Sequence, residues 1–146
     1  MTTVKRDSPV RVIERIFSKP KQLMLVDDDA SWSELFRSRC AKYNLDITVV
    51  ARCSAARVEL AQRQFDAIAL DVRLTNGNGI ELYRDVAAKS PATQVVFLTG
   101  YATEDVRKQV QQIGPARVYD KDCMKEEAFI EQLMAQIGAM KIGAGR

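Results

Sequence analysis

Residues 23–29 read LMLVDDD: four apolar side chains are followed directly by three aspartates. A strand-length apolar run that ends abruptly in charge is typical of a strand buried on both faces of a parallel sheet. Four further apolar runs follow along the chain: ITVV at 47–50, AIAL at 67–70, VVFL at 95–98 and a weaker RVY at 117–119. The chain therefore contains five candidate strands, and the aspartates mark the edge at which the first strand ends.

Amphipathic segments of helical length separate these runs. Ser31, with Glu34 three residues later, predicts a capping box at the start of the first helix. Ser54 is the predicted cap of the second helix, and Thr103 that of the fourth. Strands that alternate with helices, without an internal repeat, predict an α/β fold. We expect a flavodoxin-like (βα)5 three-layer sandwich whose parallel five-stranded sheet has the order 2-1-3-4-5.

The sequence contains no histidine among its 146 residues. This absence excludes a serine–histidine or cysteine–histidine triad, a histidine metal site and a phosphohistidine on this chain. Cys40, Cys53 and Cys123 are widely spaced and form no CxxC pair, so reduced thiols in a cytoplasmic protein are expected. No apolar run approaches the roughly 20 residues of a membrane span, so no membrane contact is expected.

The net charge of +3 is concentrated at the N-terminus. Residues 1–20 hold five basic and two acidic side chains, whereas residues 21–146 hold seventeen of each. A neutral body lacks the clustered basic face that binds nucleic acid. We divide the chain into a basic N-terminal arm (1–20), one domain (21–139) and a flexible C-terminal tail (140–146). The arm is consistent with a short amphipathic helix and equally with a disordered leader.

Polar side chains suited to phosphate chemistry stand at four of the five strand ends: Asp27 and Asp28, Asp71, Thr99 and Lys121. In an open parallel sheet, ligands bind outside the carboxyl ends of the strands, at the point where the strand order reverses. Strands one and three are neighbours in the expected order, so Asp27, Asp28 and Asp71 should crowd into one crevice. Ionised carboxylates at such distances repel one another, and a divalent cation relieves the repulsion. Oxygen ligands favour Mg²⁺ (or Mn²⁺) over zinc or copper.

This arrangement predicts phosphoryl chemistry at Asp71. An aspartate nucleophile forms an acyl phosphate, whose charge the cation and Lys121 can neutralise and to which the Thr99 hydroxyl can donate a hydrogen bond. Taken singly, an aspartate after a strand is more often a helix cap, a threonine can be a turn residue and a lysine a surface charge. The joint placement at one edge of one sheet favours the functional interpretation.

The segments LMLVDDD, FDAIALDVRLTNGNGIEL, VVFLTG and YDKD resemble the marker segments of bacterial two-component response-regulator receiver (CheY-like) domains. The resemblance covers residues 21 to about 139. It implies that Asp71 is the phosphoacceptor. Asp28 and the backbone carbonyl of Arg73 would bind Mg²⁺ directly, and Asp27 would bind it through water. Thr99 would be the switch hydroxyl and Lys121 its ion-pair partner. Arg73 and Tyr101 flank the phosphoacceptor and are expected to modulate the access of water.

Four positions depart from the family pattern, and one of them is Asn78, which stands where aspartate is frequent. Thr75 stands where the family often has proline, so we expect the loop after Asp71 to be less constrained. Asp122, not proline, follows Lys121, which predicts a more mobile loop there. Val118 occupies the position of the switch aromatic residue that many members carry, and Tyr119 next to it should point to the opposite face.

The resemblance also implies what the domain does. The phosphoryl donor would be a phosphohistidine on a sensor histidine kinase or a histidine phosphotransfer protein. The domain would be a signalling module, not an enzyme, and would catalyse only its own phosphorylation and dephosphorylation. Neither the arm nor the tail is long enough for a DNA-binding module. We therefore expect a stand-alone receiver that signals by contact with another protein. A homodimer is compatible with this expectation. The face of the fourth helix, fifth strand and fifth helix, with Val106, Val110 and Val118, is the expected docking surface.

Two alternatives stay open at this point. VDDDAS at 26–31 loosely matches a haloacid-dehalogenase-type phosphatase, with Asp27 as the nucleophile and Asp29 as the acid. That interpretation leaves Asp71 without a role and finds no cap domain. The second alternative is a degenerate receiver that binds its partner independently of phosphorylation, although no catalytic position is missing from the sequence.

Overall fold

Five parallel strands form the central sheet of the protein. The computed structural model describes residues 19–142, so residues 1–18 of the predicted arm (1–20) lie outside the described residues. The strands are β1 (Lys21–Val26), β2 (Leu45–Val50), β3 (Ala67–Leu70), β4 (Gln94–Thr99) and β5 (Arg117–Asp120). Their order is β2-β1-β3-β4-β5, and every pairing between neighbours is parallel. The predicted flavodoxin-like strand order is confirmed.

Helices cover both faces of the sheet. They are α1 (Ala30–Arg39), α2 (Cys53–Gln62), α3 (Gly79–Lys89), α4 (Glu104–Gln111) and α5 (Glu127–Ile137). Buried residues of α2, α3 and α4 form one apolar cluster with Met24, Ile68 and Phe97 of the sheet. Buried residues of α1 and α5 form a second cluster on the opposite face, with Leu25 and Ala69. Alternate strand residues thus point into two cores, as a three-layer sandwich requires.

Two of the three predicted helix caps are wrong. The α1 cap is Asp29, which has extended backbone geometry and accepts a hydrogen bond from Trp32 N at 3.0 Å, so the Ser31 capping box does not form. Because α2 begins at Cys53, Ser54 lies inside the helix and does not cap it. The residue before the helix is Arg52, which makes no side-chain cap bond. Thr103 caps α4 as predicted, accepting a hydrogen bond from Val106 N at 3.2 Å.

The first residues of the predicted C-terminal tail contact the segment before β2. Lys141 forms an antiparallel bridge with Tyr43, the residue that precedes the β2 region. Asn44 N donates to Met140 O at 2.7 Å, and Ile142 N donates to Lys42 O at 2.8 Å. Residues 140–142 are therefore bonded to the segment before β2, residues 143–146 lie outside the described range, and the domain boundaries stay a prediction. Between residues 19 and 142, no helix combines the length and apolarity needed to cross a bilayer.

Candidate functional site

Asp27 and Asp71 lie side by side at the carboxyl edge of the sheet. The register pairs Val26 with Leu70, so the next residue of each strand falls at the same level. Asp71 N donates to Val26 O at 3.1 Å, which fixes the two backbones against each other. Both aspartates are buried, Asp27 at 2% and Asp71 at 5% exposure. The predicted proximity of these two carboxylates is therefore present.

Lys121 bridges the two buried carboxylates. Its ammonium nitrogen lies 2.8 Å from Asp27 Oδ2 and 2.9 Å from Asp71 Oδ2. The second Asp27 oxygen, Oδ1, accepts a hydrogen bond from Asp29 N at 2.8 Å. In the described part of the chain, Asp71 Oδ1 is buried and has no hydrogen-bond partner. The cation thus neutralises one oxygen of each aspartate and leaves one oxygen of Asp71 unpaired.

The segment after β5 places this lysine. Lys121–Lys125 form a 3-10 helix whose N-cap is Asp120, with Asp120 Oδ1 accepting from Asp122 N at 2.9 Å. Asp122 can donate this bond because it is not proline, so the departure from the family pattern contributes a hydrogen bond to this segment. Lys121 Nζ also lies 4.9 Å from the centre of the Trp32 ring, on α1. Two carboxylates and an aromatic ring therefore hold the ammonium.

Burial and mutual contacts shift the pKa values of Asp27 and Lys121. Burial raises the pKa of Asp27, and the hydrogen bond from Lys121 opposes that rise only in part. Burial lowers the pKa of Lys121, but the hydrogen bonds and charges of Asp27 and Asp71 together outweigh it and hold the pKa above its ordinary value of 10.5. Lys121 is therefore the charged partner of the pair throughout the neutral range.

Asp28 does not join the other two carboxylates. Its Oδ2 accepts a hydrogen bond from Thr75 N at 2.8 Å and a short one from Thr75 Oγ1. These bonds lower the pKa of Asp28. Within residues 19–142, no three acidic or cysteine side chains lie close enough together to hold a metal ion, so the predicted crowding of three carboxylates is wrong. Thr75 also ties down the loop that was expected to be less constrained.

The donor atoms nevertheless suit a magnesium ion. The unpaired Asp71 Oδ1 is a buried carboxylate oxygen, which is costly to leave without a partner and is a preferred ligand type of Mg²⁺. Asp28 is exposed at the same edge, and Arg73 follows Asp71 by two residues, in a small hairpin in which Arg73–Leu74 pairs with Gly77–Asn78. The residues fit the ion chemically, although they are not yet gathered around it.

Gly79 is a site residue that the sequence pattern does not single out. A Cβ at this position would lie 2.0 Å from the carbonyl oxygen of Asp71. The absence of a side chain lets α3 begin directly against the Asp71 backbone, where Gly79 N donates to Val72 O at 2.8 Å. Asn78 caps the helix by accepting from Ile80 N at 2.7 Å. The NGNG segment therefore positions Asp71 as well as turning the chain.

The loop after β4 forms the other wall of the site. Thr99 is fully buried, and its hydroxyl oxygen accepts a hydrogen bond from Tyr101 N at 3.1 Å. The Tyr101 ring is stacked with the guanidinium of Arg73, whose Cζ lies 3.8 Å from the ring centre. The loops that follow β3 and β4 are thus connected across the edge of the sheet by the two residues predicted to control access.

The predicted docking residues are mostly internal. Val110 is fully buried and Val118 is 4% exposed, and both belong to the core beneath α4, so these two cannot form an exposed surface. Val106 is half-buried. A guanidinium nitrogen of Arg107 donates to the Val118 carbonyl and holds α4 against β5. Tyr119 points to the other face, as predicted, and packs edge-on against Phe129 with ring centres 4.9 Å apart.

Comparison with known proteins identifies the family. The sequence model of the response regulator receiver domain family matches residues 23–133 of this chain. Regulatory protein LuxO of Vibrio cholerae is 30% identical over 99 residues, which cover 68% of this chain and 22% of that protein. Response regulator protein PilR of Pseudomonas aeruginosa is 29% identical over 94 residues, which cover 64% of this chain and 21% of that protein. The chain thus spans about a fifth of the length of these relatives.

Solved structures agree with this assignment at the level of the fold. The signal receiver domain of an HD domain-containing protein from Pseudomonas fluorescens Pf-5 superposes with a TM-score of 0.75 at 16% identity, covering 82% of this chain and 88% of that one. The chain therefore belongs to the receiver domain family of two-component response regulators, signalling domains whose general function is to accept a phosphoryl group.

Proposed function

We propose that this receiver accepts a phosphoryl group on Asp71 from a phosphohistidine of a sensor histidine kinase or a histidine phosphotransfer protein. The observation that carries the proposal is the asymmetry of the buried carboxylate pair. Lys121 bonds one oxygen of Asp27 and one of Asp71, and Asp29 N bonds the other oxygen of Asp27. Among the residues that the structure describes, Asp71 Oδ1 has neither a hydrogen-bond nor an ion-pair partner, and is therefore free to act as the nucleophile.

In the proposed reaction, Asp71 Oδ1 attacks the phosphorus atom, and the bond from phosphorus to the donor imidazole nitrogen breaks. The product is an acyl phosphate, and the electron pair leaves with the histidine of the partner. Lys121 starts between the carboxylates, and its ammonium can follow the new negative charge. The Thr99 hydroxyl, now an acceptor from Tyr101 N, would turn to donate to a phosphoryl oxygen.

The ion that we propose for this site is Mg²⁺ (or Mn²⁺). Asp28, Asp71 and the Arg73 carbonyl would hold it directly and Asp27 through water. When bound, the ion supplies positive charge that offsets the charge of the phosphoryl group. The all-oxygen donor set supports this assignment, because carboxylate and carbonyl oxygens are the ligands that Mg²⁺ prefers.

Phosphorylation with acetyl phosphate, or activation with beryllofluoride, in the presence of Mg²⁺ tests the proposal. Wild type and Asp27→Asn should both be modified, and mass spectrometry should locate the phosphoryl group on Asp71. Asp71→Asn should not be modified. Modification that persists in Asp71→Asn and disappears in Asp27→Asn would instead favour the phosphatase-type alternative with Asp27 as nucleophile. Partner binding that is equal in wild type and Asp71→Asn would favour the phosphorylation-independent module.

We further propose a cytoplasmic signalling role in which the domain acts on no substrate but its own phosphoryl group. The output partner would be a protein that contacts the α4–β5–α5 face. A groove of about 570 Å³ lies beside α4 and β5, and Arg107, Tyr119 and Cys123 are among the residues that line it. Binding of a candidate partner to the beryllofluoride-activated and unmodified forms, compared by pull-down, tests this assignment.

A further inference from the structure

Thr75 bonds the carboxylate of Asp28 through two separate donors. The backbone N–H of Thr75 lies 2.8 Å from Asp28 Oδ2, and the hydroxyl donates to the same oxygen. The two residues come from different loops, since Asp28 follows β1 and Thr75 lies at the turn of the hairpin after β3. We refer to this pair of bonds as the Thr75–Asp28 clasp.

The clasp depends on the residue type at position 75. Proline has neither a backbone N–H nor a hydroxyl, so it could make neither bond. Threonine supplies both, and both go to one oxygen of a charged acceptor, which makes them stronger than bonds between neutral groups. The clasp is therefore a property of this sequence, and it fixes where the Asp28 carboxylate lies when no cation is bound.

We propose that Thr75 competes with the divalent cation for Asp28 and so weakens metal binding at the site. This inference rests on the proposed function, because it takes Asp28 as a metal ligand. Within the described residues no three carboxylates lie close enough together to hold an ion, while Asp28 is bonded to Thr75. The cation binds when Asp28 leaves Thr75 and turns toward Asp71. Metal binding thereby releases the hairpin turn and couples it to the occupancy of the site.

Isothermal titration calorimetry with MgCl₂ tests the inference without any phosphorylation assay. Thr75 is exposed, so Thr75→Val removes the hydroxyl while keeping the shape of the side chain and the N–H. The dissociation constant of Thr75→Val for Mg²⁺ should be about three- to tenfold lower than that of wild type, because one charge-assisted hydrogen bond at an exposed position no longer competes with the ion. Thr75→Ser keeps both donors and should match wild type. An unchanged or higher dissociation constant in Thr75→Val would overturn the inference.

Asp28→Asn separates this inference from the proposed function. If Asp28→Asn binds Mg²⁺ as wild type does, Asp28 is not a ligand and the proposed metal site fails. If Asp28→Asn loses binding but Thr75→Val equals wild type, the metal site stands and the competition is refuted. A second readout is the amide proton of Thr75 in the ¹⁵N–¹H spectrum. It should shift upfield at saturating Mg²⁺ as it loses its carboxylate acceptor, and an unmoved resonance would contradict release of the clasp.

Discussion

The guanidinium of Arg73 stacks on the ring of Tyr101, with its central carbon 3.8 Å from the ring centre. Arg73 follows the phosphoacceptor Asp71 by two residues, and Tyr101 follows Thr99 by two, so the stack should slow the approach of water to an acyl phosphate. Replacing both residues by alanine should speed dephosphorylation about two- to fivefold, a factor that corresponds to the free energy of one exposed cation–π contact. Loss of phosphate from the ³²P-labelled protein measures the rate. Arg73→Lys with Tyr101→Phe keeps a cation and a ring and should stay close to wild type; an unchanged rate in the double alanine variant would contradict this role.

Lys121→Met should destabilise the domain, because Asp71 then loses its one ion-pair partner among the described residues and Asp27 loses one of its two contacts. We expect the free energy of unfolding at neutral pH to fall by about 1–3 kcal/mol. Urea denaturation measures it. Lys125→Met removes an exposed lysine of the same 3-10 helix and should have little effect.

The difference between wild type and Lys121→Met should also depend on pH. The folded state holds the pKa of Lys121 above 10.5, so the folded state binds this proton more tightly than the unfolded chain. The stabilisation by the Lys121 ammonium is complete below pH 10.5, and it is lost as the pH rises through the raised pKa of Lys121 in the folded state. The two stabilities should therefore converge in strongly alkaline urea titrations; a constant gap would show that the ammonium charge contributes nothing.

Gly79→Ala should disturb both stability and the phosphoacceptor. The new Cβ would lie 2.0 Å from Asp71 O, which is backbone and cannot rotate away. We expect a loss of about 1–3 kcal/mol in unfolding free energy, together with slower phosphorylation by acetyl phosphate. Gly100→Ala is the matched control, since its Cβ would meet no atom within 4 Å, and it should change stability by less than about 0.5 kcal/mol. Equal stability of the two variants would refute the close approach.

Cys123 should be the most reactive thiol in the folded protein. Burial raises the pKa of Cys40 to about 12, and Cys40 and Cys53 are both buried, whereas Cys123 is half-buried beside the α4–β5 groove. Burial raises the pKa of Cys123 as well, so its reaction should still be slower than that of a free thiol. In an Ellman assay at mildly alkaline pH, Cys123→Ser should remove the first phase. Early labelling of Cys40 would show that α1 opens in the native state.

Much of the fold follows from hydrophobic runs that are easy to recognise. Each strand is a short apolar segment, and the parallel order brings the residues after β1 and β3 together, so the contact between Asp27 and Asp71 through Lys121 was accessible to sequence reasoning. The same pattern does not indicate which of several polar neighbours forms a hydrogen bond with a particular side-chain oxygen. Asp29 instead of Ser31 caps α1, because it lies directly before the helix with extended geometry.

The remaining differences depend on side-chain direction in three dimensions. The Asp28 carboxylate accepts its hydrogen bonds from Thr75, which lies 47 residues further along the chain in a different loop. The resemblance implies that Val110 and Val118 lie on a docking surface, but both side chains pack inward, in the core beneath α4. Such choices depend on the distance between loops, which periodicity does not encode.

The contact between Lys121 and Trp32 gives the domain an intrinsic optical reporter. Trp32 is the only tryptophan in the sequence, and its ring centre lies 4.9 Å from the ammonium nitrogen that bridges Asp27 and Asp71. Indole emission responds to a nearby charge, so any event that moves this ammonium should change the fluorescence intensity or wavelength. The timing of activation can therefore be followed in the unlabelled protein by stopped-flow fluorescence.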